Sequence, residues 1–179
     1  MKKEKLIERS VQFLGYAPEK ISSEMPLFYN PSMIVNRDIS ILYLLCSNEK
    51  MQICDLLAGT GIRTMRMIKE AGVKIKKIDA NDGATDFMKD IKKSFALNKI
   101  PLKKAGIHNC EASRFLLSST GYDYIEIDPF GSPNPYLDAS VRRLSRQGTL
   151  AVTATDTSAL CGTHPKACRR KYWAEPTHN

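Results

Sequence analysis

Nowhere do the 179 residues hold an apolar run approaching the ~20 that a membrane-spanning helix needs. The opening Met1-Lys2-Lys3-Glu4 lacks the apolar segment of a secretory signal, so no membrane partner is expected. Paired Cys-x-x-Cys knuckles are missing too, which sets aside the common structural zinc sites. The five cysteines (46, 54, 110, 161, 168) are odd in number and scattered among apolar neighbours, as expected of reduced thiols in a cytoplasmic protein. There is no internal repeat and no low-complexity tract. Acidic residues are in short supply: 19 Asp and Glu face 27 Lys and Arg, a formal net charge of +8. That balance suits a polyanionic partner and equally a lysine-rich solvated surface. The composition, 42% hydrophobic and 26% charged, is that of an ordinary globular domain, and the length suffices for one core.

The order of elements is legible. Residues 53–57 form a short apolar run closed by Gly59, which reads as a buried strand. Residues 64–71 read as a helix stopped by Gly72. A second strand is expected over 77–80, and Phe87, Ile91 and Phe95 then recur at helical spacing before Pro101. Strands follow at 105–108, 122–127 and 149–153, with a helix over about 137–146 before the last. Such alternation implies an α/β fold whose parallel sheet is covered on both faces. The first 35 residues leave two readings open: Val11 and Phe13 alternate as in a strand, while 5–14 also fits a helix.

Ligands of parallel sheets bind beyond the carboxyl ends of the strands, and those ends hold the unusual residues. The first strand runs into DLLAGTGIRT (55–64). Gly59 and Gly61 let backbone come close to a ligand, and the following helix offers free N–H groups. Asp82 follows the second strand, 21 residues after Gly61, where an acid accepts both hydroxyls of a ribose. Glu111 follows the third strand and Asp128 the fourth. A dinucleotide fingerprint wants glycine where Thr64 stands. S-adenosylmethionine presents a carboxylate instead, which a guanidinium such as Arg63 can clamp bidentately. The alternative for Arg63 is a surface helix charge.

The stretch EIDPFGSP (126–133) carries more than a turn requires. Asp128 and the carbonyl of Pro129 are suited to accept the two N–H bonds of an exocyclic amino group on a nucleobase. That turns the nitrogen lone pair toward an electrophilic methyl, and Asp128 can take the released proton. Pro129 fixes its own backbone angle, and Phe130 can stack on the base. A plain turn accounts only for Pro129 and Gly131. Loops that bring an acid, a proline and an aromatic ring together in this way are the signature of amino-group methyltransferases.

Four blocks, EMPLFYNPSMIVNRD, DLLAGTGIRT, EIDPFGSP and VTATDTSALCGTHPKACRRKY, occur in order and together resemble the tRNA (guanine-N2)-dimethyltransferase family. The resemblance runs from about residue 24 to the end. It implies a Rossmann-like methyltransferase sheet, S-adenosyl-L-methionine as cofactor, and methylation of the N2 amino group of guanine 26 in tRNA, with no DNA partner. It also implies that Arg37 and Arg63 hold the methionine end of the cofactor beside Asp55, Gly59 and Gly61. Asp82 would hold the ribose, and Glu111 with the backbone of Ala112 the adenine. Asp128 would be the catalytic acceptor, with Phe130 and Phe28 as walls around the guanine. Read alone, Phe28 is a core residue and Glu111 a helix cap. Residues 1–35 would be an arm contributing to the substrate pocket, and 36–179 the catalytic domain.

Family sheets have seven strands, and five are read here. The chain is therefore expected to be a truncated catalytic domain, with its fifth strand an unprotected edge that invites self-association. Such a chain should bind cofactor and methylate tRNA poorly. Two other readings stand beside this one: an amino-methyltransferase for another nucleic-acid base, and a non-catalytic RNA- or cofactor-binding module. Cys161, His164, Cys168 and His178 have ligand chemistry but no zinc spacing, so no metal is expected. Arg169-Arg170-Lys171-Tyr172-Trp173 suits phosphate and base contacts, or a solvated helix face.

Overall fold

A computed structural model describes residues 3–16, 29–155 and 157–176. Two short strands open the chain: β1 (Glu4–Glu8) pairs antiparallel with β2 (Val11–Gly15), Glu8 standing opposite Val11. The strand reading of this region holds and the helical one does not. Val11, Phe13 and Gly15 turn inward with the period of two that only a strand provides.

A helix that the sequence pattern did not reveal, α1 (Ile34–Cys46), follows a 3-10 turn capped by Asn30, whose side chain accepts from the Ser32 N–H. Its apolar residues lie all around the axis. Ile41 and Leu44 are buried while Val35, Ile39 and Leu42 are exposed, so no single stripe announces it.

The main sheet is parallel throughout, with spatial order β5-β4-β3-β6-β7. Its strands are β3 (Met51–Asp55), β4 (Ile75–Asn81), β5 (Gly106–His108), β6 (Tyr122–Ile127) and β7 (Leu144–Val152). The order reverses between β3 and β6, where Asp55 pairs with Glu126, and such a switch point is where a parallel sheet opens a crevice. Alternate strand residues feed opposite cores. Ile53, Ile78 and Tyr124 pack with α1 and α2 (Ile62–Glu70). Phe87, Ile91 and Phe95 of α3 (Phe87–Leu97) extend that face against Val11 and Phe13 of the hairpin. Cys54, Ile125 and Ile127 pack on the other face with α4 (Ala112–Ser118) and α5 (Asn134–Arg143). The expected two-sided cover is present.

The last expected boundary needs correcting. The helix ends at Arg143 rather than 146, and β7 begins at Leu144 rather than 149. The cause is a bulge: Tyr122 pairs with Leu144 but Tyr124 already pairs with Thr149, and Gln147 adopts a φ of 64° in between. A strand interrupted in this way loses its period of two. Among the described residues β7 is one edge of the sheet. A final helix, α6 (Pro165–Tyr172), follows it.

One acid ties the hairpin to the helices. Glu8, buried, accepts from Arg37 Nε (2.8 Å) and Nη2 (2.6 Å), Arg66 Nη1 (3.0 Å) and the Tyr29 hydroxyl (3.0 Å). Burial alone would raise its pKa, but the bonds and charge of Arg37, then Tyr29 and Arg66, hold it below the usual range. Replacing Glu8 by alanine takes from the buried Arg37 its carboxylate partner, while Arg66 keeps Asp38 and Glu70. Breaking one member of a buried ion cluster costs about 3–5 kcal/mol. Urea unfolding of Glu8→Ala should show a loss of that size, and a loss under about 1 kcal/mol would mean that the hairpin is held by its apolar contacts and its other polar bonds, such as Lys3–Asp90 and Arg9–Asp38.

Candidate active site

The carboxyl end of β3 turns sharply. Gly59 and Gly61 both lie in the left-handed region (φ 54° and 73°), and a Cβ on Gly61 would stand 2.7 Å from the Ile91 side chain. Glycine at 61 is thus required by backbone angle and by the packing of α3. The turn is strapped to the end of β4: the Gly59 N–H donates to Asp82 Oδ2 (2.8 Å) and the Ala84 N–H to Asp82 Oδ1 (2.8 Å). Each Asp82 oxygen therefore carries one backbone bond and retains a second lone pair.

Asn81, which sequence reasoning missed, staples three strand ends. Its Nδ2 donates to the Leu56 (3.2 Å) and Cys110 (3.1 Å) carbonyls, and its Oδ1 accepts from the Cys110 N–H (3.1 Å). The available signal was an amide side chain ending an apolar strand, next to Asp82. Beyond β5, Glu111 caps α4 by accepting from the Ser113 (2.9 Å) and Arg114 (2.7 Å) N–H groups, and these bonds hold its carboxyl below the usual range. The cap and a ligand contact are compatible, since both oxygens keep a lone pair. Ala112, the first residue of α4, is buried.

Arg63 occupies the switch point. From the first turn of α2 its Nη2 reaches Asp128 Oδ2 (2.6 Å) and Asn36 Oδ1 (2.7 Å), and its Nη1 reaches Ser40 Oγ (2.7 Å) with Glu126 Oε1 at 3.4 Å. Glu126 also accepts from Ser40 Oγ (2.9 Å) and the Tyr124 hydroxyl (2.5 Å). Tyr124, Glu126 and Asp128 share one strand face by their period of two. Asn36 reaches onward to Thr153 Oγ1 (3.2 Å), just past β7. Asn36 and Ser40 also escaped sequence reasoning, because the helix that carries them did.

Burial dominates the titration of this cluster. It pushes the Glu126 carboxyl up despite Arg63. Asp55, which accepts from Thr64 Oγ1 (2.6 Å), is pushed by burial to about 6, with Arg63 pulling the other way.

The structure thus gathers Asp55, Arg63 and Asp128 in one cluster and joins Gly59 to Asp82. Arg37 faces elsewhere, toward Glu8 and the Asn30 carbonyl (3.1 Å). Pro129 is buried and Phe130 is half exposed, with Gly131 at φ 85° turning the loop. Phe28 lies outside the described residues. Among the described residues no group of three His, Cys, Asp or Glu is placed to hold a metal, and Cys168 packs against Ala159 and Tyr172. Nor, among them, is any helix long and apolar enough to cross a membrane.

The profile of the family described as N2,N2-dimethylguanosine tRNA methyltransferase matches residues 5–179. The tRNA (guanine(26)-N(2)/guanine(27)-N(2))-dimethyltransferase of Aquifex aeolicus is 41% identical over 168 residues, which cover 90% of this chain and 43% of that protein. The tRNA (guanine(26)-N(2))-dimethyltransferase of Methanobrevibacter smithii is 44% identical over 163 residues, covering 88% of this chain and 41% of that one. Trm1 from Pyrococcus horikoshii, solved with S-adenosyl-L-methionine, superposes with a TM-score of 0.84 at 33% identity, over 98% of this chain and 49% of that chain. The chain spans less than half the length of each of these three relatives.

The Asp55 carboxyl generates a pH prediction. Its pKa in the fold is above the unfolded value of 3.8, so its contribution to stability is complete below about pH 4 and is withdrawn as pH rises through about 6. A rise of about two pKa units is worth about 3 kcal/mol. Asp55→Asn should therefore unfold later than the parent at pH 8, the gap closing near pH 4. A gap that is the same at both pH values would contradict the assignment.

Proposed function

The chain belongs to the N2,N2-dimethylguanosine tRNA methyltransferase family, and from that premise we propose that its cleft transfers methyl groups from S-adenosylmethionine to N2 of guanine 26 in tRNA. One observation carries the reading: the glycine turn, Asp82, Glu111 and Asp128 all stand at the carboxyl ends of adjacent parallel strands, around the switch point.

The residues fit the cofactor. Asp82 has a free lone pair on each oxygen for a ribose hydroxyl, and Glu111 has the same at the next strand end, beside the Ala112 backbone, for the adenine. Gly59 and Gly61 keep side-chain bulk off the turn below, and Asp55 underpins it through Thr64. Arg63 is the guanidinium nearest Asp128 and suits the methionine carboxylate. Arg37 would join it while keeping its bonds to Glu8 through Nε and Nη2. When bound, the cofactor supplies a methyl group made electrophilic by its sulfonium.

The chain's own residues do the rest. Asp128 and the Pro129 carbonyl accept the two N–H bonds of the guanine amino group and turn its lone pair outward. Asp128 receives the proton that nitrogen loses as the new N–C bond forms. Phe130 stacks on one side of the base. Phe28 is assigned to the other side, on an arm (residues 1–35) whose hairpin is anchored through Glu8, with 36–179 as the catalytic domain. The cationic surface attracts tRNA in a salt-sensitive manner. The reaction belongs in the cytoplasm, and the β7 edge is assigned to contact between copies.

Nucleoside analysis of unmodified tRNA treated with the complete gene product should show N2-methylated guanosine at position 26. Asp128→Ala should lower kcat by about 10²–10⁴. Methylation of another base would favour a different amino-methyltransferase, and retained turnover in the variant would remove Asp128 from the chemistry.

A further inference from the structure

We propose that Arg63 is a shared counter-ion: its pair with Asp128 opens when the carboxylate of S-adenosylmethionine takes that place, so that cofactor binding releases Asp128 for the substrate amino group. The inference rests on the cofactor reading above and adds to it a coupling between cofactor occupancy and the acceptor.

The guanidinium itself is fixed. Ser40, Asn36 and Glu126 hold it at 2.7, 2.7 and 3.4 Å, and its side chain is 5% exposed. Those three are themselves held, Glu126 by Ser40 and Tyr124, Asn36 by Thr153. Asp128 is the looser partner. Its side chain is 21% exposed against 2% for Glu126, and it lies one residue beyond the end of β6, where ladder pairing stops. If either acid leaves Arg63, it is Asp128.

The charges point the same way. One guanidinium serves Asp55, Glu126 and Asp128, and burial already raises the carboxyls of Asp55 and Glu126. A further carboxylate at Arg63 must displace an anion, and only Asp128 has solvent to move toward. While bound at 2.6 Å to Nη2, Asp128 Oδ2 shares its negative charge with the guanidinium, so the carboxylate keeps lone pairs but is a weaker acceptor for an amine. Exchange at Arg63 therefore couples acceptor strength to cofactor occupancy.

Two ligands separate this from a purely catalytic role for Asp128. S-adenosylhomocysteine carries the amino-acid carboxylate, and 5′-methylthioadenosine is the matching thioether without it. Calorimetry on the chain should show Asp128→Asn binding S-adenosylhomocysteine about fivefold tighter than the parent, the effect of removing a partly exposed competing ion pair. Methylthioadenosine should be unaffected. Asp128→Ser, uncharged and smaller, should tighten the first ligand similarly, which guards against a peculiarity of the amide. Unchanged or weaker S-adenosylhomocysteine binding in both variants, or equal shifts for both ligands, overturns the proposal. Failure of the parent chain to bind either ligand overturns the cofactor reading beneath it.

Discussion

Arg63 leaves the first turn of α2 and ends with 4% of its surface exposed, where a guanidinium is stable only with anions around it. That requirement explains several otherwise separate features. It needs an acid inside β6, a position that an apolar strand would give to valine or isoleucine, and Glu126 stands there. It needs hydroxyl and amide acceptors from a second element, which Ser40 and Asn36 of α1 supply. It also draws the strand-end Asp128 inward to 2.6 Å. The switch point of the sheet is thus a polar cluster in a largely apolar interior, and a cluster of this kind fixes geometry better than packing does.

A second arginine repeats the arrangement one helical turn later. Arg66 is buried against Glu8, Asp38 and Glu70. Along α1 the neighbours Asn36 and Arg37 divide between the two clusters, Asn36 toward Arg63 and Arg37 toward Glu8. Helices α1 and α2 are therefore joined by two sets of charged contacts beside the apolar cluster of Ile41, Leu44 and Met67. The N-terminal hairpin is tied to one set, as well as to α3, and the candidate active site to the other. A disturbance of α1 reaches both.

The strand ends were legible in the sequence because buried parallel strands are short apolar runs, and a polar residue that ends one stands out. Asp82, Glu111 and Asp128 were found in this way, and all three lie just beyond strand ends. Helix α1 was hidden by apolar residues on its outer as well as its inner side. With it went Asn36 and Ser40, whose partners lie 27 and 23 residues away in the chain. The bond between Glu8 and Arg37 spans 29 residues and two elements, so nothing local announced that Arg37 was already engaged. The start of β7 was masked by the bulge. Sequence periodicity reports on local burial. It does not report which buried charge meets which.

A crystal structure of the chain with S-adenosylhomocysteine would show whether the ligand carboxylate replaces Asp128 at Arg63. The ribose hydroxyls are expected on Asp82, the ligand carboxylate within hydrogen-bond reach of Arg63, and Asp128 no longer at 2.6 Å from Nη2. A ligand bound away from the carboxyl ends of β3 and β4, or one seated there with the Arg63–Asp128 pair intact and the carboxylate held elsewhere, would contradict that exchange.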